Sequence, residues 1–321
     1  MLRKLSLSRD RYNASAATAP QATRMIEVMA KPRSPFRLGL LLDKQITMGG
    51  GGVIDSFDSS NPAKSTAGLY DVAKRQSNGS VGVNDTQGTS DLKGAYVYGP
   101  VDYSGPAIQG TGNVQGPITT PFNRPVVPVL APTWTTFNPT PTNINTAKTL
   151  TGGTFSSPAR YKVSSVTLAG GDVLTLIPHA AGQESYVEIW VTGGMTTSGS
   201  SYILQQPGVH VTYYSEGDIK VGGTSFVNQS NLAANNILNV VTPVGPTVRS
   251  VTVNGGGDII AAINAPRADF AMVGNAQIYG ALIGKTMSMG GASVHYDEAL
   301  AKATGNGDYG YAVGSWVEAV R

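Results

Sequence analysis

Short runs in which apolar and polar residues alternate, each ending on glycine, recur along this chain. They are Ile46–Gly50 (I-T-M-G-G), Val166–Gly171 (V-T-L-A-G-G), Ile189–Gly194 (I-W-V-T-G-G), Ile219–Gly223 (I-K-V-G-G), Val251–Gly256 (V-T-V-N-G-G) and Met287–Gly291 (M-S-M-G-G). Period-two alternation sends successive side chains to opposite faces of a strand, and the glycines mark tight corners. Two late segments align as consecutive rungs: Ile259–Ile263 matches Ile278–Leu282 at an offset of 19 residues, and Phe270–Gly274 matches Met287–Gly291 at 17. The pattern predicts an all-β fold, a β-solenoid of the right-handed β-helix type, whose stacked coils bring equivalent apolar positions into interior ladders. Two hairpins in a sandwich are the competing arrangement. The coincidence of aligned strands with aligned glycine corners favours the solenoid.

The pattern divides the chain into segments. Residues 1–45 are a basic N-terminal segment with a first strand, 46–116 a Gly-rich part of the β-structure, and 117–147 a Pro-rich connector with seven prolines from Pro117 to Pro141. Proline cannot donate to a ladder and stiffens extended chain, so the connector is expected to cross the solenoid surface. Residues 148–295 form the main solenoid and 296–321 a capping helix and tail. The helix is predicted at Tyr296–Thr304, with Asp297 and Glu298 at its N-terminal end, Lys302 in its last turn and Gly305 beyond, where it would cover the last rung.

Composition agrees with many short strands. Charged residues make up 13% of the chain, against about 25% in ordinary globular proteins, while glycine reaches 40 of 321 residues. The formal charge of +3 is unevenly spread, since nine basic residues precede position 45 against Asp10, Glu27 and Asp43. Such a start suits a solvated, partly disordered terminus, and no later basic cluster is interleaved with aromatics as a nucleic-acid reader requires. No cysteine is present, which removes disulfides, thiolate metal sites and cysteine nucleophiles. No apolar stretch has the length of a membrane span or an export signal, so the chain is expected to be cytoplasmic or preceded by further sequence.

Motifs with chemical potential fail one by one. Gly280–Lys285 resembles a phosphate loop one residue short and leads into a strand, and Gly305–Gly310 matches a dinucleotide fingerprint with too little chain after it for a βαβ unit. Asp55 and Asp58, in I-D-S-F-D-S-S after a glycine run, are the two metal candidates, as oxygen ligands for a hard cation; Asx-turns at a corner are the plainer role. His179, His210 and His295 are scattered, and the acids after His295 read as helix-start residues. A polysaccharide-cleaving β-helix needs carboxylates converging at about 5–9.5 Å from neighbouring rungs. The rung alignment sets Asp258 against Gln277 and leaves Asp269 without a counterpart, so no carboxylate ladder is expected. A lyase with Lys or Arg as base stays open. No catalytic residue and no cofactor is nominated. Tyr213, Tyr214 and Trp190 are the candidate contacts for a glycan, with cross-strand packing as their alternative role.

Several blocks carry a family resemblance: Gly208–Gly223, Asn228, Ala261–Phe270, Gly274–Lys285, His295–Leu300, Ser315–Glu318 and Ile54–Ser60. Together they resemble an uncharacterised bacterial domain of PilX-like type IV pilus-assembly proteins, with rungs similar to those of polymer-forming bactofilins. The resemblance implies a structural, non-catalytic protein of the cell envelope or surface, serving as a scaffold or as a minor pilus-associated subunit. Its partners would be further copies of itself or other envelope and pilus proteins. The family supplies no catalytic residue, and its usual N-terminal hydrophobic helix has no counterpart here. A polysaccharide-binding or polysaccharide-cleaving β-helix is the alternative.

Overall fold

The computed structural model describes residues 3–7, 24–32, 34–223, 225–302 and 311–320. They fall into two units, one from Phe36 to Ala301 and one made of Met1–Pro35 with Lys302–Arg321. In the second, Arg24–Pro32 lies between Arg3–Leu7 and Tyr311–Val320 in a three-stranded antiparallel sheet. The basic start, expected to be partly disordered, thus supplies two strands in its described parts.

The first unit is a β-solenoid in which parallel strands stack in three columns. The first column follows the repeated motif. Val166, Met195, Ile219, Val251, Phe270, Met287 and Ile46 stand in register on successive rungs, and all are buried. Leu168, Thr197, Val221, Val253, Met272, Met289 and Met48 form a second inward ladder in the same strands. The residues between them, polar on every rung but that of Ala271, point outward, as a period of two requires. The glycines have a common cause. Gly170, Gly199, Gly223, Gly255, Gly274 and Gly291 each follow the second ladder residue by two places and take φ of 65 to 75°, which a side chain opposes. Some corners also press on the one before: a Cβ on Gly223 would lie 1.9 Å from the carbonyl oxygen of Gly199.

The register pairs Ile259 with Ile278 and Phe270 with Met287, at the offsets read from the sequence. One repeat belongs elsewhere. Ile189 lies in the third column, between Tyr161 and Tyr213, and its glycine pair is the corner into Met195–Thr197. The second column stacks Leu174, Ile203, Phe226, Ile259, Ile278, Val294, Ile54 and Val97 inward.

The order of rungs is not the order of the chain. The stack rises from Asn143–Ile144 to Ser293–Asp297, and then Leu40–Met48 and Val53–Phe57 pair with its last strands. Val81–Val83, Val101–Tyr103 and Ile118–Thr119 continue upward in the third column. The expected cover for the last rung is therefore provided by N-terminal strands. The short C-terminal helix is a 3-10 turn, Glu298–Lys302, because Tyr296 and Asp297 are held in strand pairing with Ser56 and Phe57. Asp297 accepts from the Ser59 backbone N–H (3.0 Å), the Ser59 hydroxyl (2.6 Å) and the Ala299 N–H (3.1 Å), which fixes the crossing. The fingerprint-like turn at 305–310 lies outside the described residues.

From the upper end the chain returns to the lower end along the third column. Arg124 donates its backbone N–H to Asn84, Val129 exchanges bonds with Thr242, and Asn138 bonds Arg160. Between them Trp134 packs edge-on against Trp190 and Tyr214, at 6.3 and 5.7 Å between ring centroids. With proline removing donors and fixing φ, this stretch needs no ladder of its own.

A loop-walled cleft on the second column

Outward positions of the second column become chemically distinctive where the N-terminal strands join. Parallel register sets Ile260, Tyr279, His295 and Asp55 side by side on four successive rungs. Asp258 and Gln277 form the neighbouring outward pair. The 58–79 loop, which leaves Val53–Phe57, folds over this column and brings Tyr70 onto it.

The resulting cluster is closely bonded. His295 places Nδ1 at 2.5 Å from Oδ1 of Asp55 and Nε2 at 3.0 Å from Oε1 of Gln277. Tyr70 donates its hydroxyl to Oδ2 of Asp55 at 2.6 Å, and Tyr279 donates to Oε1 of Gln277 at 2.8 Å. The imidazole packs against both phenol rings, 3.9 Å from Tyr70 and 5.1 Å from Tyr279, and the two phenols lie 6.0 Å from each other. Asp55 and His295 are 0% and 4% exposed, so this pair is sealed beneath the rings. Burial, reinforced by the bond to Asp55, pushes the Tyr70 phenol well above its ordinary range. Burial raises Tyr279 to about 12, and the charges of Asp258 and Asp55 add to the rise. Both phenols are neutral hydrogen-bonding groups at physiological pH.

The loop is braced from within. Ala67 and Gly68 turn at φ of 52 and 81°, and Thr66 and Leu69 exchange backbone bonds across them. Asp71 caps the 3-10 turn Val72–Lys74 through Ala73 N–H and accepts from Thr66. Lys64 pairs with Glu298 at 3.0 Å, and Asn231 donates to the carbonyl of Ala67 at 3.1 Å. These contacts fix the loop over the column, with its tip resting on Asn231, and leave a cleft of about 610 Å³ beneath it. Leu69 and Tyr70 form one wall, Val227, Ile260 and Tyr279 the floor, and Gln229, Asn231 and Asp258 the polar rim. Partial desolvation on one side raises the Asp258 carboxyl above the ordinary carboxylate range, an effect that His295 partly opposes, although the residue stays largely open to solvent.

The candidates named from sequence are distributed as follows. Asp55 is His295's partner, whereas Asp58 turns back to accept from the Ser60 N–H at 3.1 Å; the two serve different partners. Among the described residues no group of three His, Cys, Asp or Glu side chains is placed to hold a metal ion. His179 bonds Ser185 and His210 contacts Glu184, far from His295 in the stack. Gly280–Lys285 runs inside the strand Gln277–Gly290, without a helix after it. Asp269, expected to lack a counterpart, faces Thr286 and accepts its hydroxyl at 2.7 Å.

The aromatic residues proposed as glycan contacts are occupied in the fold. Tyr213 is a core residue, 0% exposed, edge-on to Phe226. Trp190 and Tyr214 lie under Trp134 of the connector, and Lys162 sits 3.8 Å over the Trp190 ring. Tyr70 and Tyr279 instead border the open cleft. Part of it is legible in the sequence, since Ile54–Ser60 and His295–Leu300 both belong to the blocks that carry the family resemblance, but nothing local joins them.

Comparison with known proteins matches residues 130–303, more than half the chain, to the model of a domain of unknown function, DUF7305. The chain belongs to that family. The DUF7305 region contains the connector from residue 130, the lower rungs, the cleft floor and His295, while Asp55 and Tyr70 come from outside it. A search of curated proteins found no match. Among solved structures, the ice-binding protein of the Antarctic ascomycete Antarctomyces psychrotrophicus is similar over 81% of this chain and 94% of its own, with 15% identity and a TM-score of 0.35. Nothing about function passes between proteins at that level of likeness. Among the described residues no helix is long and apolar enough to cross a membrane.

Proposed function

We propose that this chain is a non-catalytic, surface-associated structural β-solenoid that presents one lateral binding cleft. The observation that carries the reading is the state of the carboxylates around that cleft. Asp258 is the one acid among the described lining residues, and Asp55, the nearest other acid in the column, is sealed beneath Tyr70 and His295. Glycosidic cleavage by a carboxylate pair needs two such groups facing one bond across about 5–9.5 Å. A rigid wall with one acid suits holding a ligand. The test is incubation of purified protein with neutral, amino and acidic polysaccharides, following reducing ends and unsaturated products. No turnover is expected. Cleavage abolished by Asp258→Asn, or by replacing a lysine or arginine, in a protein that stays folded would overturn the reading.

The finer assignment to the cell envelope, as a minor pilus-associated subunit that self-associates or binds other envelope proteins, draws its support from the sequence blocks at Gly208–Gly223 and Gly274–Lys285. Its test is fractionation of native cells with mechanical shearing. Release of the protein with sheared filaments would support the pilus role, and recovery from the cytosol alone would refute it.

A further inference from the structure

We infer that the cleft under the 58–79 loop binds a short stretch of neutral or amine-bearing glycan, about two sugar rings long; this rests on the reading that the chain holds its ligand uncleaved. Outward positions of a solenoid strand normally meet water and are polar. Here Val227, Ile260 and Tyr279 stand on consecutive rungs and form an apolar floor that is only half-buried. Three rungs at a spacing of about 4.8 Å span about 10 Å, the length of a disaccharide. The volume falls within the range of small-ligand sites, which are mostly apolar with a few placed polar groups.

The walls have the chemistry of sugar recognition. Tyr70 and Tyr279 are clamped by their hydrogen bonds and by stacking on His295, so they offer ring surface without losing rotamer freedom on binding. The polar rim consists of planar side chains with spare capacity. The Asp258 and Gln229 side chains make no hydrogen bond to the described residues, and Asn231 uses its amide nitrogen on Ala67, leaving its oxygen to accept. These groups suit hydroxyl and amine donors set around a flat-sided ring. Among the described lining residues the one formal charge is the negative one of Asp258, so a uronic-acid chain is repelled and an amino sugar is favoured. An extended peptide adding itself as a strand finds no edge here, because the floor strands already pair with neighbours on both sides.

Isothermal titration calorimetry of the whole chain with glucosamine disaccharide, cellobiose and digalacturonate tests this. Binding of the first two is expected, with the amino sugar tighter and no binding of digalacturonate. Asp258→Asn, at a solvent-exposed side chain, is expected to weaken the glucosamine disaccharide by about tenfold or more and cellobiose by less. Tyr279→Ala is expected to weaken both sugars by at least about tenfold, while Tyr279→Phe keeps them within a few-fold. The inference is overturned if neither neutral nor amino sugar binds, if digalacturonate binds equally well, or if Asp258→Asn leaves the glucosamine affinity unchanged. Mass spectrometry of the recovered sugars separates the two readings: intact sugar that bound supports both, whereas cleaved sugar sinks the non-catalytic reading alone.

Discussion

Replacing Asp55 with alanine strips a buried imidazole and a half-buried phenol of their partner at once. His295 loses the acceptor at its Nδ1 (2.5 Å) and Tyr70 loses the acceptor for its hydroxyl (2.6 Å). Both carboxylate oxygens are used, and Asp55 and His295 are almost wholly shielded from solvent. Breaking such a pair from one side costs about 3–5 kcal/mol, because the group left behind has no water to turn to. In a unit of this size each kcal/mol shifts the melting point by about 2–4 °C, so a fall of about 6–20 °C is expected. Asp55→Asn keeps the shape and one acceptor oxygen, and should lose roughly half as much. Thermal unfolding by circular dichroism, repeated in urea, measures both. Adding His295→Ala to Asp55→Ala should cost less than His295→Ala in the wild-type background, since the contact is already broken. The bond joins Val53–Phe57 to the rung of Ser293–Asp297, so the loss should also open the 58–79 loop to protease first. If Asp55→Ala melts within about 1 kcal/mol of wild type, or the double mutant is strictly additive, the cluster does not hold the two halves of the stack together.

Three other substitutions probe separate parts of the fold. Tyr213→Phe should stabilise the protein by about 1–3 kcal/mol, because the Tyr213 hydroxyl is buried without a partner among the described residues; a lower denaturant midpoint would contradict this. Gly280→Ala should prevent soluble folding or cost more than about 3 kcal/mol, since its Cβ would lie 1.9 Å from the Ala261 carbonyl oxygen at a φ of 154°; near-wild-type yield and melting would show that the rungs yield there. Burial works against the charge of Asp85, yet bonds from the Ser90 hydroxyl and from the N–H groups of Gln87, Ser90 and Thr89 hold its carboxyl below the ordinary range. Its folded pKa being depressed, its contribution is complete above the unfolded value of about 3.9 and is lost as pH falls through the folded value. Asp85→Asn should therefore flatten the acid side of the stability profile below about pH 4, and an unchanged profile would refute the assignment.

Local periodicity carried the reading of the fold a long way. Five of the six glycine-terminated motifs lie in one column because their alternation and corner spacing repeat from rung to rung, and the 19- and 17-residue offsets are legible from the matching apolar positions and glycine corner of neighbouring segments. The sixth, Ile189–Gly194, carries the same signal but turns a different corner, since a pattern of two cannot say which column a strand joins. The helix predicted from Tyr296 begins two residues later because two strand pairings and the Asp297 bonds outweigh local propensity. Glycan contact and packing both stood as roles for Trp190 and Tyr214 because nothing near them in sequence reveals that Trp134 will cross over them.

By itself, then, the sequence determined that the chain forms short parallel strands with glycine corners and an apolar interior, since each of those properties depends on residues within a few positions of one another. Only the tertiary structure decided that the N-terminal strands continue the stack above Ser293–Asp297. Any strand with the right alternation can add to any open edge, and the choice is made by complementarity across the whole stack. The same choice created the site. Asp55 and His295 are separated by 240 residues, and with Tyr70 they form one cluster solely because the chain returns to lay one rung on the other.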